Sequence, residues 1–354
     1  MDYTLRSYFI YFGLLIFCFL MAWWADKWNN KRYIFWIALA LSFFMGFRDK
    51  TVGIDTLAYY NLFSSLKTIS IANNYSDPGF YKVAYLLMKI KDDPNFPILI
   101  YSSISCFLMV YRLWDYRKIS SYKYAILRYV SLFYFYSFNC MRQFLAMAIV
   151  FYATKFLEER KYYKFLIFVL IASYFHIAAL TAVGYIALEK IRWGDMEIKE
   201  RNIINIMYIL APVAVFYIMN RTSDRVDPYF NTTSSLTNYI SFAFKILLFI
   251  AFVIINKNDN DIEEHNDLKI NLRPFLVYYF IGMVLNGLGF VWAQFERIGY
   301  FYYIFAPCYA GIVANNKKYK VLFRVLLLFI IFRAFYLNCI INSMGQMPFM
   351  FNWE

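Results

Sequence analysis

Five arginines, Arg48, Arg142, Arg221, Arg225 and Arg297, stand at the ends of apolar runs, and near them lie groups that can take up a proton, His176, Glu296 and Asp55. A guanidinium stays charged and grips phosphate or carboxylate with two parallel hydrogen bonds, so a fixed set of them points to an anionic ligand. A histidine or carboxylate at the same depth would supply a base. The two histidines and the five cysteines (Cys18, Cys106, Cys140, Cys308, Cys339) lack the CxxC or HxxxH spacing of a zinc or haem site. The expected chemistry uses no metal and no cofactor.

These groups have to be positioned by elements that are overwhelmingly apolar. Of 354 residues 62% are hydrophobic and 23% aromatic, the mean hydropathy is +0.46, and apolar runs recur along the whole chain. Such a composition excludes a soluble fold and predicts an all-α, polytopic membrane protein forming a single transmembrane domain over 1–354. A span needs roughly 20 apolar residues, fewer where flanking side chains snorkel. Twelve segments qualify, within a range of ten to twelve spans: 7–24, 32–46, 96–112, 123–138, 141–156, 162–176, 177–190, 202–220, 237–256, 273–292, 298–314 and 320–341. The first run is read as a helix and not as a signal peptide, because Ala22-Trp23-Trp24 is no cleavage site.

Lysine and arginine in alternate loops give the orientation. One set of loops, carrying for example Lys27, Lys31, Arg32, Arg117, Lys118 and Lys123, outnumbers the other about two to one, which makes it cytoplasmic and puts both termini outside. The net charge of +13 then reflects topology and contact with anionic lipid, not nucleic acid. The five arginines fall on the outer side, against the bias. Snorkelling to lipid phosphates is the competing explanation for any one of them.

Their neighbours favour a site. The outer segment 47–95 is expected to form two amphipathic or re-entrant helices: Asp55 or Thr56 caps the first, Tyr59, Tyr60 and Phe63 share one of its faces, and Ser76 or Asp77 ahead of Pro78 starts the second. Aromatic faces mixed with Asp55, Asn61 and Asp77 suit a sugar, although an interfacial aromatic belt has the same composition. Asn139, Arg142 and Gln143 close one helix at the outer side, and His176 closes another at the same depth, either as a base or as a structural group. Glu296 and Arg297 form either a simple surface pair or a base beside a phosphate clamp, with Tyr300 one helical turn on. Lys245, inside the run 237–256, is an intramembrane cation. Arg128 and Arg333 lie nearer helix ends and can snorkel.

The order R-x3-VGxDTxxYY, DPGF, N-x2-RQ-x2-A, AxxFH and ER-x2-Y, running from Phe47 to Tyr302, resembles the EpsG/Wzy-type polysaccharide polymerases of bacterial surface-glycan clusters. The loop 221–236 has no counterpart in that pattern and is expected to read the sugar. The resemblance implies a GT-C-like glycosyltransferase of the inner membrane, facing the periplasm, that moves a growing chain from undecaprenyl pyrophosphate onto a new lipid-linked repeat unit. On that reading Arg48, Arg142 and Arg297 bind pyrophosphate with Gln143 and Asn139 in support. Asp55, Tyr59, Tyr60, Asp77 and Tyr300 hold sugar, and His176 is the first choice of base, ahead of Glu296 and Asp55. Its partners would be the undecaprenyl-pyrophosphate-linked donor and acceptor, membrane lipids and a chain-length regulator, for O-antigen, lipopolysaccharide or capsule. The alternatives are a ligase using the same donor and a lipid-linked oligosaccharide flippase, the latter disfavoured because the polar groups cluster at the outer ends instead of lining a path through the bilayer.

Overall fold

A computed structural model describes residues 3–66, 68, 77–192, 236–257, 273–290, 292–316 and 318–354. Among them every regular element is helical, and one isolated antiparallel bridge joins Arg48 to Phe351. The order is α1 (Tyr3–Trp28), α2 (Arg32–Gly46), α3 (Thr56–Ser65), α4 (Pro78–Ile90), α5 (Asn95–Asp115), α6 (Tyr122–Tyr129) running through a π-helical turn (Val130–Tyr134) into α7 (Phe135–Asn139), α8 (Met141–Glu158), α9 (Tyr162–Phe175), a 3-10 segment (Ile177–Gly184), α10 (Tyr185–Arg192), α11 (Leu236–Lys257), α12 (Arg273–Leu288), α13 (Ala293–Tyr303), α14 (Ala306–Asn315) and α15 (Lys320–Phe335). Among the described residues three helical stretches, Tyr3–Trp28, Asn95–Asp115 and Lys320–Ile340, are long and apolar enough to cross a membrane, and five shorter apolar helices accompany them. The chain is a helical protein compatible with multiple membrane spans. The expected span 202–220 and the loop with Arg221 and Arg225 lie outside the described residues.

Three local departures have physical causes. The run 298–314 is broken at Ile304–Phe305, because Pro307 lacks an N–H and restricts the residue before it, so a new helix opens there. The run 177–190 begins as a 3-10 helix, where Thr181, Val183 and Gly184 are weak α-formers. The run 123–138 contains the π turn, one extra residue in the ladder.

The chain divides into two compact units: Met1–Tyr152 with Leu170–Ile177 and Ala306–Glu354, and Ala153–Val169 with Ala178–Phe305. In the first, hydrogen bonds sort the loops onto two ends. At one end Arg117 Nε donates to Asn29 Oδ1 at 3.1 Å, the Lys123 amide meets Asp26 at 3.4 Å and Arg324 lies over the Tyr124 ring. At the other, Arg6 pairs with Glu354, the Asn352 amide donates to Phe47 O at 2.9 Å and the Asp49 amide to Met350 O at 2.8 Å. These contacts join loops that the lysine and arginine count puts on the same side. Arg128 departs from expectation: it is 4% exposed, buried within the unit and not snorkelling outward.

The two short helices α3 and α4 pack through aromatic side chains. Phe80 is fully buried, stacked on Tyr101 at 4.5 Å and tilted against Tyr59 and Phe63 at 5.8 and 5.6 Å. Burying such a ring is worth roughly 2–3 kcal/mol, and each well-placed aromatic pair adds about 0.5–1.5 kcal/mol. In the second unit Tyr302 donates to Thr181 O at 2.8 Å, Tyr185 donates to Phe301 O, and Tyr278 stacks on Phe305 at 4.4 Å.

Candidate anion-binding site

Arg142 sits in the first turn of α8, just past the break at Cys140. Its Nη1 donates to Asp77 Oδ2 at 2.8 Å, its guanidinium lies 5.6 Å from the centre of the Tyr81 ring, and the Tyr59 hydroxyl is a further partner. The pair is lopsided: the Asp77 side chain is 6% exposed and that of Arg142 is 29% exposed. The carboxylate is a buried anchor, while the guanidinium stays partly exposed.

Asp77 stands at the N-cap position that Pro78 predicts, yet it makes no cap bond. Its second oxygen accepts the Ile177 amide at 3.3 Å instead. A single carboxylate therefore joins DPGF, the RQ motif and the residue following His176. Chain topology puts Arg142 and His176 at one depth, and Asp77 touches Arg142 and the amide next to His176. Gly79 permits it, because a Cβ there would collide with the backbone and ring of Tyr174. Burial outweighs Arg142 and the Ile177 amide and raises the Asp77 carboxyl above its usual range. Burial likewise pushes Tyr59 up to about 12. A carboxyl raised on folding binds more protons in the native state, so its contribution is complete below the unfolded value of about 3.9 and is lost as the pH rises through the folded one. Asp77→Asn should flatten that decline in thermal melts in detergent followed upward in pH from the unfolded value; an unchanged slope would show that Asp77 is not its source.

Several expected ligand contacts prove to be ties within the protein. Arg48 is fully buried: Nε donates to Thr56 Oγ1 at 3.2 Å, Nη2 to Phe138 O at 3.1 Å and Nη1 to Met45 O, and the guanidinium lies 4.7 Å from the centre of the Phe138 ring. All three of its nitrogens are occupied by neighbours, a geometry that leaves no edge for pyrophosphate. Asn139 accepts the Asp55 amide at 3.3 Å and donates to Met344 O at 2.9 Å, bracketing two loops. Neither Asp55 nor Thr56 caps α3 with its side chain; Thr56 bonds back to Val52 O at 2.7 Å. Tyr59 and Phe63 do share a face and are buried, whereas Tyr60 turns aside under Lys50, 5.4 Å from its ring centre. Asp55 is exposed, Gln143 is buried with Tyr136 donating to it at 3.1 Å, and His176 is half-buried beside Asp77's contact at Ile177.

The second unit holds the remaining candidates. Glu296 accepts the Tyr300 hydroxyl at 2.8 Å, one helical turn along α13, and Arg297 is half-buried on the same helix. Lys245 donates to Asn286 Oδ1 and lies 5.2 Å from the Tyr303 ring centre, so this cation inside an apolar helix is held by an amide and an aromatic face of its own unit. Tyr81 was not singled out by the sequence, although the tyrosine directly after DPGF was available as a signal.

The order of these motifs and their convergence on Asp77 agree with a comparison against known families, in which the EpsG family model matches residues 31–351. The chain belongs to the EpsG family. EpsG proteins are glycosyltransferase-like polysaccharide polymerases, and the apolar helices described above place this member among membrane proteins of polysaccharide synthesis. No curated protein and no solved structure matches the chain.

Proposed function

We propose that this EpsG protein polymerises undecaprenyl-pyrophosphate-linked oligosaccharide repeat units at the periplasmic face of a bacterial inner membrane, with a GT-C-like arrangement of its helices. The observation that carries the reading is the Arg142–Asp77 pair, a half-open guanidinium on a buried carboxylate where three family motifs meet. In the reaction the bond between the anomeric carbon of the growing chain and the pyrophosphate oxygen breaks, and the acceptor hydroxyl oxygen of a new repeat unit takes its place. The bonding pair leaves with undecaprenyl pyrophosphate, and the acceptor proton passes to a base. Negative charge grows on the departing oxygen, where a preorganised arginine stabilises it most.

Arg142 is assigned to the pyrophosphate, with Gln143 in support. His176 is assigned as base, with Asp55, exposed on the same unit, as the other candidate there. Asp77, Tyr59 and Tyr81 position Arg142 and do not hold sugar, and Arg48 and Asn139 hold the loops that carry the site. Tyr60 and Asp55 remain sugar contacts. In the second unit Glu296, Arg297 and Tyr300 keep their assignments as base, anion ligand and sugar contact. Donor and acceptor lipids, bilayer lipids and a chain-length regulator are the partners of such an enzyme.

Deleting the gene should leave single repeat units on the lipid carrier, seen by mass spectrometry of extracted lipid-linked glycans. Long chains remaining on the carrier would replace polymerisation by ligation, and repeat units trapped on the cytoplasmic leaflet would replace it by flipping.

A further inference from the structure

The last thirteen residues, Asn342 to Glu354, lie beyond the final helix and belong to none of the motifs that define the site. They nevertheless run along the loop that opens the outer segment. The Gly53 amide donates to Gly345 O at 2.7 Å and the Ile54 amide to Met344 O at 3.3 Å, while Asp49 and Asn352 exchange backbone bonds with Met350 and Phe47. Met344 O also takes Asn139 Nδ2 at 2.9 Å. Farther along, Gln346 is fully buried, donating to Phe135 O at 3.2 Å while its own carbonyl accepts the Tyr11 hydroxyl at 2.9 Å, and the Phe349 amide donates to Ser7 Oγ at 2.7 Å.

We infer that segment 342–354 is a positioning strap that sets the conformation of the loop 47–55 and, through Asn139, the start of the helix carrying Arg142. Three features of the contact carry this. The bonds are made by main-chain groups of the loop, whose alternative partner would be water, so losing the strap frees the loop's backbone amides directly. Gly53 adopts φ +97°, a conformation outside the ordinary range, and the bond to Gly345 is the one its amide makes. Asn139 is held from both sides, by the Asp55 amide and by Met344 O, three residues before Arg142. The strap touches no proposed ligand group; it acts on Arg142 through the loop and Asn139.

The inference rests on the reading of Arg142 as the anion site only for its functional arm, and the test separates the two. A protease site inserted between Ile341 and Asn342 lets the full chain fold first and be cut afterwards in lipid nanodiscs. Hydrogen exchange at Gly53 and Ile54 should then accelerate at least tenfold, and the affinity for inorganic pyrophosphate should fall by a comparable factor. A synthetic peptide of residues 342–354 added in excess should restore both. Unchanged exchange after cutting overturns the strap, and faster exchange with unchanged pyrophosphate affinity overturns its action on the site. Pyrophosphate affinity that is equal in uncut Arg142→Ala and uncut wild type overturns the anion site and leaves the exchange result standing.

Discussion

Arg142→Ala should lower polymer formation by two to three orders of magnitude, the usual cost of removing one preorganised donor to a developing oxyanion. The single variant carries a second penalty. It leaves the Asp77 carboxylate buried without its cation, and breaking a buried pair from one side costs on the order of 3–5 kcal/mol before protonation relieves it. Lower protein levels could then be mistaken for lost chemistry. The double variant Arg142→Ala with Asp77→Asn removes the stranded charge and keeps the Ile177 amide bonded to the remaining oxygen. It should recover membrane abundance but not polymer. Glycan chain lengths on gels, normalised to protein by immunoblot, read both quantities, and a normal length distribution in the double variant would remove Arg142 from the site. Arg142→Lys should rescue poorly, since a lysine keeps the charge without the fork that spans Asp77, Tyr59 and an incoming phosphate.

Arg48→Ala should unfold the end of the first unit that carries the loop 47–55. The side chain ties Met45 O, Thr56 and Phe138 O together from a fully buried position, and burial pulls its pKa down to about 10, which still leaves it charged at neutral pH. Each carbonyl stranded by its loss costs roughly 1–3 kcal/mol, so a destabilisation of about 3 kcal/mol or more is expected. Lysine has one nitrogen where three directions are required, and Arg48→Lys should fail nearly as badly. Thermal unfolding in detergent checks this. A variant with unchanged melting temperature and weakened pyrophosphate binding would return Arg48 to the ligand and contradict its role as a tie.

The contrast between these two arginines shows what a sequence displays and what it hides. Both lie in family motifs, both oppose the charge bias, and nothing in their neighbouring letters separates them. Arg142 faces a carboxylate that the sequence also displays, and DPGF and FH announce the helix ends that bring Asp77 to it. Arg48 faces two main-chain carbonyls, and carbonyl groups carry no signature in the choice of side chain. The pairing of 342–354 with 47–55 was hidden for the same reason, being made largely of backbone bonds. Helix positions were legible because apolar runs and their punctuation are local: α2 begins and ends where the composition says, and α4 begins at Pro78. Asp77 starts the helix as Pro78 predicts, but its carboxylate turns to Arg142 and the Ile177 amide, because a guanidinium offers a carboxylate a stronger partner than its own helix does.

The strap also has a consequence in time. Gly53 and Ile54 emerge from the ribosome long before the carbonyl groups that receive their amides, Gly345 and Met344. During all of the intervening synthesis the helices can insert and the apolar side chains can find their places, but the loop before Arg142 lacks its partner. A nascent chain that has not yet delivered residues 342–354 would be present in the bilayer with the backbone amides of its 47–55 loop still unpaired.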